Sequence, residues 1–272
     1  MILVVGEVSD HVTARILAAL KKKAGVIHID PLSIGTQVRI YRNQIDVFGY
    51  VFHTKEIKTT FNRLLTVCGE KLYCCSSWQN LVMGLDYEWA NVVNRPQTVM
   101  GNFFKAAQLN VIRQFFDVPK TIVAANVSKT PRQTIVKSIS SVRSIVGTGK
   151  QMGVRRISEP VIMQRRYYGV NIRLHIMDHF VYSCRINSDS VDYRYCKHAR
   201  FENFSCPQWV ISRAQAMRKA IGAIFVGIDF IITPSGQWVC LEVNLSPGFT
   251  YFDDKVQSSN ILSGVCEWLV SQ

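Results

Sequence analysis

The chain begins with short apolar runs on either side of an amphipathic segment. MILVVGE (1–7) and GVIHID (25–30) have the length of strands, and HVTARILAALKKK (11–23) between them has helical periodicity. This order predicts a βαβ unit. No GxGxxG motif follows the first strand, so a dinucleotide-binding site is only weakly indicated. Glu7 follows the first apolar run directly, and no basic residue precedes that run. Both features favour a strand over a signal peptide.

The pattern that follows predicts a mixed N-terminal region. QVRIYRNQIDVFGYVFH (37–53) alternates like strands of a hairpin, residues 56–90 look mainly helical, and NVVNRPQTVM (91–100) is expected to be a connecting loop. We place a domain boundary near residue 98. The sequence thus predicts an N-terminal domain over residues 1–98 and a second unit over residues 99–272.

The second unit reads as a mixture of strands and helices. The loop SSVRSIVGTGKQMGV (140–154) is polar and carries Gly147 and Gly149. Helices are predicted within 102–116, 207–225 and 256–270. Strands are predicted within 117–124, 132–139 and 159–169, and hairpins over 170–186 and 227–244. This mixture favours an α/β (α+β) fold.

Polar side chains interrupt the last apolar strand at a regular spacing. In VCLEVN (239–244) a single apolar residue separates Glu242 from Asn244, so on a strand both point to one face. The turn at residues 234–236 would fold this strand onto GIDF and bring Asp229 beside them. Carboxylate and amide oxygens suit Mg²⁺. The pattern indicates magnesium ligands, with a solvated strand face as the simpler alternative.

Composition narrows the class of protein. At 48% hydrophobic and 19% charged residues the chain reads as globular, and its apolar runs are too short to span a bilayer. None of the eight cysteines forms a CxxC pair, and the six histidines lack the spacing of metal ligands. We therefore expect reduced thiols in a cytoplasmic protein, with no membrane partner.

The positive charge is concentrated in the middle of the chain. Of the net +13, residues 101–220 hold 20 Lys and Arg against 6 Asp and Glu, whereas residues 221–272 hold 1 against 5. A basic block can attract nucleic acid, anionic lipid, nucleotide phosphates or an acidic peptide. No RNP, KH or helix-turn-helix signature accompanies it, so nucleic acid is supported by charge alone and we expect no nucleic-acid partner.

The order of these motifs resembles the ATP-grasp superfamily of carboxylate–amine ligases. The chain has a helix with Lys105, a strand with Lys137, a glycine-rich loop, NIRL, VDYR, GIDF and finally LEVNLSPG, in that order. The resemblance is closest to ribosomal-protein glutamate ligases and to ATP-grasp maturases of ribosomally made peptides. It covers nearly the whole chain and implies an ATP-grasp fold with an N-terminal βαβ pre-ATP-grasp domain.

The resemblance implies ATP and Mg²⁺ as cofactors, and it implies specific roles. A carboxylate would be activated as an acylphosphate and joined to an amine, with ADP and phosphate as products. Arg173 and Arg194 would act near the γ-phosphate and the substrate carboxylate. The nucleotide would be bound by Lys105, Lys137, Gln164, Gly147 and Gly149, and the metal by Asp229, Glu242 and Asn244.

Two stretches differ from the family pattern. The hinge VIMQRRYYG has Arg165 and Arg166 where an acidic residue usually meets the ribose, and Asn171 replaces an aspartate. LSPGF after EVN is more similar to the ribosomal-protein ligases than to the peptide maturases. The partners are a carboxylate and an amine acceptor, with an acidic peptide as one candidate, and a homo-oligomer is left open. An ester-forming maturase and a non-catalytic nucleotide-binding scaffold remain the alternatives.

Overall fold

A computed structural model describes the chain at residues 1–31, 38–41, 43–64, 91–127, 130–131, 133–139, 146–148, 160–193, 196–256 and 259–272. Within these residues the strands form one parallel sheet and three antiparallel sheets. No helix in the described ranges is long and apolar enough to cross a membrane.

The predicted βαβ start is confirmed. Strand β1 (Ile2–Val5) pairs in parallel with β2 (Val26–Ile29), and helix α1 (His11–Leu20) connects them. The helix begins after Asp10, whose carboxylate accepts a hydrogen bond from the Thr13 amide at 2.9 Å and so satisfies a free helical N–H.

The predicted hairpin over residues 37–53 is a three-stranded antiparallel sheet. It consists of β3 (Val38–Tyr41), β4 (Gln44–Val47) and β5 (Tyr50–His53). The turn between β4 and β5 has Phe48 at φ 55° and Gly49 at φ 83°. Positive φ at both central residues is what a two-residue hairpin loop requires, so this turn sets the register.

The helix predicted over residues 56–90 is wrong where the structure describes it. Residues Thr59–Asn62 form β6, which lies in the parallel sheet beside β1, and all four residues are buried. A parallel strand covered on both faces shows no alternation of polar and apolar residues, which is why the sequence pattern did not reveal it. Residues 65–90 of this prediction lie outside the described residues.

The predicted loop over residues 91–100 also holds regular structure. It contains β7 (Val92–Val93), which completes the sheet in the order β2-β1-β6-β7, and the short helix α2 (Pro96–Val99). Residue 98, the predicted domain boundary, lies in α2. The boundary stays a prediction. Core side chains of β1 and α1 pack in one cluster with side chains of the C-terminal helix, so the two predicted units share a hydrophobic core.

A smaller antiparallel sheet follows helix α3 (Lys105–Ile112). Its strands are β8 (Thr121–Ala124), β9 (Thr134–Ser138), β10 (Val146–Thr148) and β11 (Val161–Arg165), in the order β10-β9-β11-β8. The predicted strands are confirmed, but β10 lies in the stretch that was predicted to be a polar loop. In β10 the buried Gly147 lies between the partly exposed Val146 and Thr148, and all three residues pair with β9.

The largest sheet is antiparallel and has the order β14-β13-β12-β15-β16. The two predicted hairpins, β12–β13 and β15–β16, are confirmed. The strands are β12 (Val170–Met177), β13 (Phe180–Asn187), β14 (Arg200–Asn203), β15 (Phe225–Ile232) and β16 (Trp238–Asn244).

Helices cover both faces of the largest sheet. On one face α3 and α4 (Gln208–Ile221) pack against Ile172, Leu174 and Ile176 of β12. On the other face, β12 contributes Met177 to the core that it shares with α1, α5 (Thr250–Lys255) and α6 (Ile261–Ser271). Arg173 lies on the same face of β12 as Met177, toward the other end of the strand, and there it lines a cleft.

Candidate active site

A cleft of about 800 Å³ lies between the smaller and the largest antiparallel sheet. The smaller sheet contributes Lys137 from β9 and Gln164 from β11. The largest sheet contributes Arg173, Asp229, Glu242 and Asn244, and α3 contributes Lys105 from its first residue. Seven of the ten predicted site residues therefore line one cleft.

The predicted metal ligands are neighbours on adjacent strands. Asp229 of β15 pairs directly with Glu242 of β16, and Asn244 pairs with Gly227. The register shifts after this pair, because Phe230 pairs with Cys240, so Leu241 is an extra residue on β16. Such a bulge re-aims the strand, and Leu241 consequently lines the cleft together with Glu242.

Three cations face the two carboxylates. The Lys105 ammonium lies 3.5 Å from a carboxylate oxygen of Glu242, and an Arg173 guanidinium nitrogen lies 2.7 Å from a carboxylate oxygen of Asp229. Lys137 is near enough to both carboxylates to interact with each of them. The floor of the cleft therefore has more positive than negative charge, which suits a polyphosphate.

Burial and neighbouring charges shift the pKa values of these groups. Burial raises the pKa of Asp229 above its ordinary value, against the opposing effects of Arg173 and Lys137. It also lowers the pKa of Lys137, despite the attraction of Glu242 and Asp229. Glu242 differs: burial raises its pKa, but Lys105, Lys137 and Arg173 together outweigh this and hold the pKa below the ordinary value.

These shifts bear on whether Mg²⁺ and a nucleotide fit the cleft. A partly buried carboxylate with a raised pKa favours an added cation, and a partly buried lysine with a lowered pKa favours an added anion. Two adjacent carboxylates and an amide are hard oxygen donors of the kind that Mg²⁺ prefers. Asp229, Glu242 and Asn244 therefore fit a magnesium ion, and Lys105 and Lys137 fit the phosphates that it would accompany.

The Arg173 side chain lies in a narrow space between Gly227 and Phe252, which the sequence analysis did not predict. Its guanidinium carbon lies 5.5 Å from the centre of the Phe252 ring, and an added β-carbon at Gly227 would lie 2.1 Å from one of its nitrogens. Only glycine leaves this space at residue 227. An isolated glycine inside a strand is the signal that could have indicated such a close approach.

The remaining predicted residues have varied positions. Gln164 is buried and donates a hydrogen bond from its amide to the Thr121 hydroxyl at 3.1 Å. Gly147 lies in strand β10, where it pairs with Val136, and not in the predicted polar loop. Gly149 and Arg194 lie outside the described residues.

The basic hinge also lines the cleft. The Arg166 guanidinium lies 4.5 Å from the Tyr168 ring centre, and that of Arg165 lies 5.7 Å from the Tyr167 ring centre. Both arginines and both tyrosines line the cleft. Stacking on aromatic rings limits the freedom of these guanidinium groups while leaving their N–H groups able to meet an anion.

The loop after β16 is tied to the N-terminal half of the chain. Arg63, which follows β6, donates to the Ser246 carbonyl at 2.6 Å and to the Asp10 carboxylate at 3.1 Å. The Asn94 side chain accepts from the amides of Ile224 and Phe225, at 2.8 and 2.9 Å. Sequence reasoning missed both residues, because Ser246, Ile224 and Phe225, which they bind, are more than 100 residues away in the chain.

Known structures resemble the whole chain, whereas no protein-family model and no curated protein sequence matches it. ATP-grasp ligase PsnB, complexed with a phosphomimetic variant of a minimal precursor, Mg and ADP, has a TM-score of 0.82 at 20% identity, covering 99% of this chain and 97% of PsnB. Macrocyclase MdnC from Microcystis aeruginosa MRC, bound with precursor peptide MdnA, has a TM-score of 0.75 at 17% identity, covering 100% of both chains.

A ligase with a different substrate has the same fold. The VanG D-Ala:D-Ser ligase from Enterococcus faecalis has a TM-score of 0.66 at 14% identity and covers 99% of this chain and 98% of its own. Likeness at this level of identity establishes the fold. The chain has the ATP-grasp fold, and the predicted α/β (α+β) class is confirmed.

Proposed function

We propose that this protein is an ATP-dependent ligase that activates a carboxylate as an acylphosphate and joins it to an amine. The amine would belong to an amino acid, a peptide or a protein. The observation that supports this most directly is the pairing of Asp229 with Glu242 in a cleft that also holds Lys105, Lys137 and Arg173. Carboxylates for a metal and cations for phosphates lie within one cavity.

The residues of the cleft would have different roles in the reaction. Asp229, Glu242 and Asn244 would hold Mg²⁺, which neutralises the phosphates as charge shifts during transfer. Lys105 and Lys137 would bind the α- and β-phosphates as point charges. The planar guanidinium of Arg173 suits the γ-phosphoryl oxygens and the carboxylate that attacks them.

The two steps balance in atoms and charge. In the first, an oxygen of the substrate carboxylate attacks the γ-phosphorus, and the bond to the β-phosphate oxygen breaks to release ADP. In the second, the amine nitrogen attacks the acyl carbon, phosphate leaves with the bonding electron pair, and the amine gives up a proton. A hydroxyl acceptor would follow the same course and give an ester.

The acceptor that we propose is a peptide, with maturation of a peptide natural product as the setting. PsnB has a structure with precursor peptide PsnA2, and MdnC has one with precursor peptide MdnA. An acidic peptide would suit the charge of this chain, because Lys197 and Arg200 are exposed and the hinge arginines line the cleft. We also propose a cytoplasmic location, since the five described cysteines are free thiols.

The nucleotide products test the mechanism. Purified protein would be incubated with Mg²⁺, ATP and candidate carboxylates and amines, and the nucleotides would be separated by chromatography. We expect ADP and phosphate. AMP and pyrophosphate as products would contradict the acylphosphate route.

A non-catalytic nucleotide-binding scaffold is the second candidate. The observation that favours it is the pair of arginines at the hinge, where relatives of this fold commonly have an acidic residue for the ribose. A scaffold would bind ATP in a titration but release no ADP with any acceptor. An acceptor-dependent release of ADP would exclude it.

A further inference from the structure

His175 is a polar side chain in an apolar environment. It lies two residues after Arg173 on β12, on the same face of the strand, and it is 0% exposed. Its ring stacks on Phe225 with 6.0 Å between ring centres and meets the edge of Phe252 at 5.2 Å. A buried polar ring among aromatic residues is costly unless a hydrogen bond compensates, so its partner identifies its purpose.

The side-chain partner of His175 is Arg173. The Arg173 Nε–H donates to His175 Nε2 at 3.3 Å, and no other side-chain hydrogen bond of His175 occurs within the described part of the chain. A guanidinium has only donors, so the imidazole nitrogen that faces it must be the acceptor. The ring is therefore neutral, with its proton on Nδ1.

The surroundings keep the ring neutral. Burial holds the pKa of His175 well below its usual range, and the adjacent Arg173 charge acts in the same direction. The backbone of Gly248 has the opposite effect and is outweighed. The acceptor nitrogen is therefore available to Arg173 throughout the neutral pH range.

We propose that His175 is a positioning residue that fixes the orientation of the Arg173 guanidinium at the cleft. The Asp229 carboxylate holds one terminal nitrogen of Arg173 at 2.7 Å, and His175 holds Nε. Two bonds to different nitrogens fix both the location and the rotation of a planar group. With the Asp229 bond alone, the guanidinium could swing about that contact.

This inference rests on the proposed function, in which Arg173 meets the γ-phosphate. The proposed positioning role differs from that of an ordinary core residue in the side chain that it requires. A core role would be served better by phenylalanine, which avoids the cost of burying an imidazole. A positioning role needs an acceptor at the place of Nε2, which glutamine supplies and phenylalanine does not.

The test compares His175→Phe with His175→Gln. Calorimetry would give the affinities of each protein for Mg·ATP and for Mg·ADP. Because Arg173 is expected at the γ-phosphate, we expect His175→Phe to weaken ATP binding ~10-fold, or about 1.4 kcal/mol, while ADP binding changes less than about twofold. His175→Gln should recover most of the loss.

A double variant separates positioning from packing. In an Arg173→Met background, His175→Phe should leave the ratio of ATP to ADP affinity unchanged, because the group that it positions is gone. A further fall of that ratio in this background would overturn the proposal. So would equal weakening of ATP and ADP by His175→Phe, or a failure of His175→Gln to improve on it.

The wild-type protein supplies a measurement that requires no variant to fold. Nitrogen NMR of the histidine rings should find one imidazole with its proton on Nδ1 and none on Nε2. A proton on Nε2 of His175 would overturn the proposal. If the protein binds ATP and releases no ADP, the ligase function fails, while the affinity ratios and the ring protonation still decide the role of His175.

Discussion

Replacing Gly227 with alanine should disturb Arg173 before any other group in the cleft. The added β-carbon would lie 2.1 Å from a terminal guanidinium nitrogen of Arg173, 2.6 Å from its Cζ and 2.8 Å from the Pro247 β-carbon. Ordinary van der Waals contact begins at 3.4 Å. The guanidinium must give way, because it is the flexible end of a long side chain whereas β15 is a central strand.

The size of the effect follows from this geometry. The difference between 3.4 Å and 2.1 Å is about 1.3 Å, which is enough to lengthen the 2.7 Å contact with Asp229 beyond a hydrogen bond. A misplacement of ~1 Å at a reacting centre can cost on the order of 100-fold in rate. We therefore expect kcat to fall ~100-fold, or about 2.7 kcal/mol, with a smaller effect on thermal stability.

Acceptor-dependent ADP release and thermal unfolding would be measured together. Gly236→Ala is the matched control, because Gly236 lies in the turn of the same hairpin at φ 81° with nothing within 4 Å of the added carbon. That control should lose some stability and keep its activity. A Gly227→Ala enzyme with more than half of the wild-type kcat would refute the reasoning. Equal destabilisation by Gly227→Ala in wild-type and Arg173→Ala backgrounds would assign the clash to Pro247.

Three further predictions concern the metal, the acid range and the acceptor. Glu242→Gln should abolish ADP release without changing circular dichroism, because the carboxylate faces the cleft and not the core; a fully active variant would remove the metal assignment. The pKa of Asp10 is lowered in the folded protein, since the charge of Arg63 and the hydrogen bonds from Arg63 and Thr13 together outweigh burial. Its contribution is therefore complete above the unfolded pKa of ~3.9 and is lost as pH falls through the lower folded value. The Tm difference between wild type and Asp10→Asn should be constant near neutral pH and shrink below pH ~4; an equal difference at low pH would contradict this. Lys197→Glu with Arg200→Glu should raise the KM for an acidic peptide and leave that for ATP unchanged; equal KM values for acidic and neutral peptides at low salt would count against an acidic acceptor.

The elements that carry the cleft are those with the clearest sequence signals. Both hairpins of the largest sheet have alternating or apolar strands separated by short polar turns. These local features favour a hairpin independently of the rest of the chain. Strand β6 has no such signal. Its identity depends on β1 and β7, which cover its edges and come from sequence on either side of it.

The cleft itself was predictable only in part. Asp229, Glu242 and Asn244 meet because alternation along two paired strands places them together. The bulge at Leu241 was not predictable, because a count of every second residue assumes an unbroken register. Lys105 and Lys137 come from a helix and from another sheet, so their approach to Glu242 depends on packing that local periodicity does not encode.

The contacts of Arg63 and Asn94 explain how the N-terminal residues can matter to a cleft that they do not line. The loop after Asn244 must leave β16 in a fixed direction, because Phe252, which lies against Arg173, follows it within eight residues. Arg63 holds the Ser246 carbonyl of that loop, and Asn94 binds the backbone at the start of β15. The parallel sheet therefore anchors both ends of the hairpin that carries the metal ligands. Polar contacts that join distant parts of the chain in this way make the N-terminal sheet part of the active-site framework.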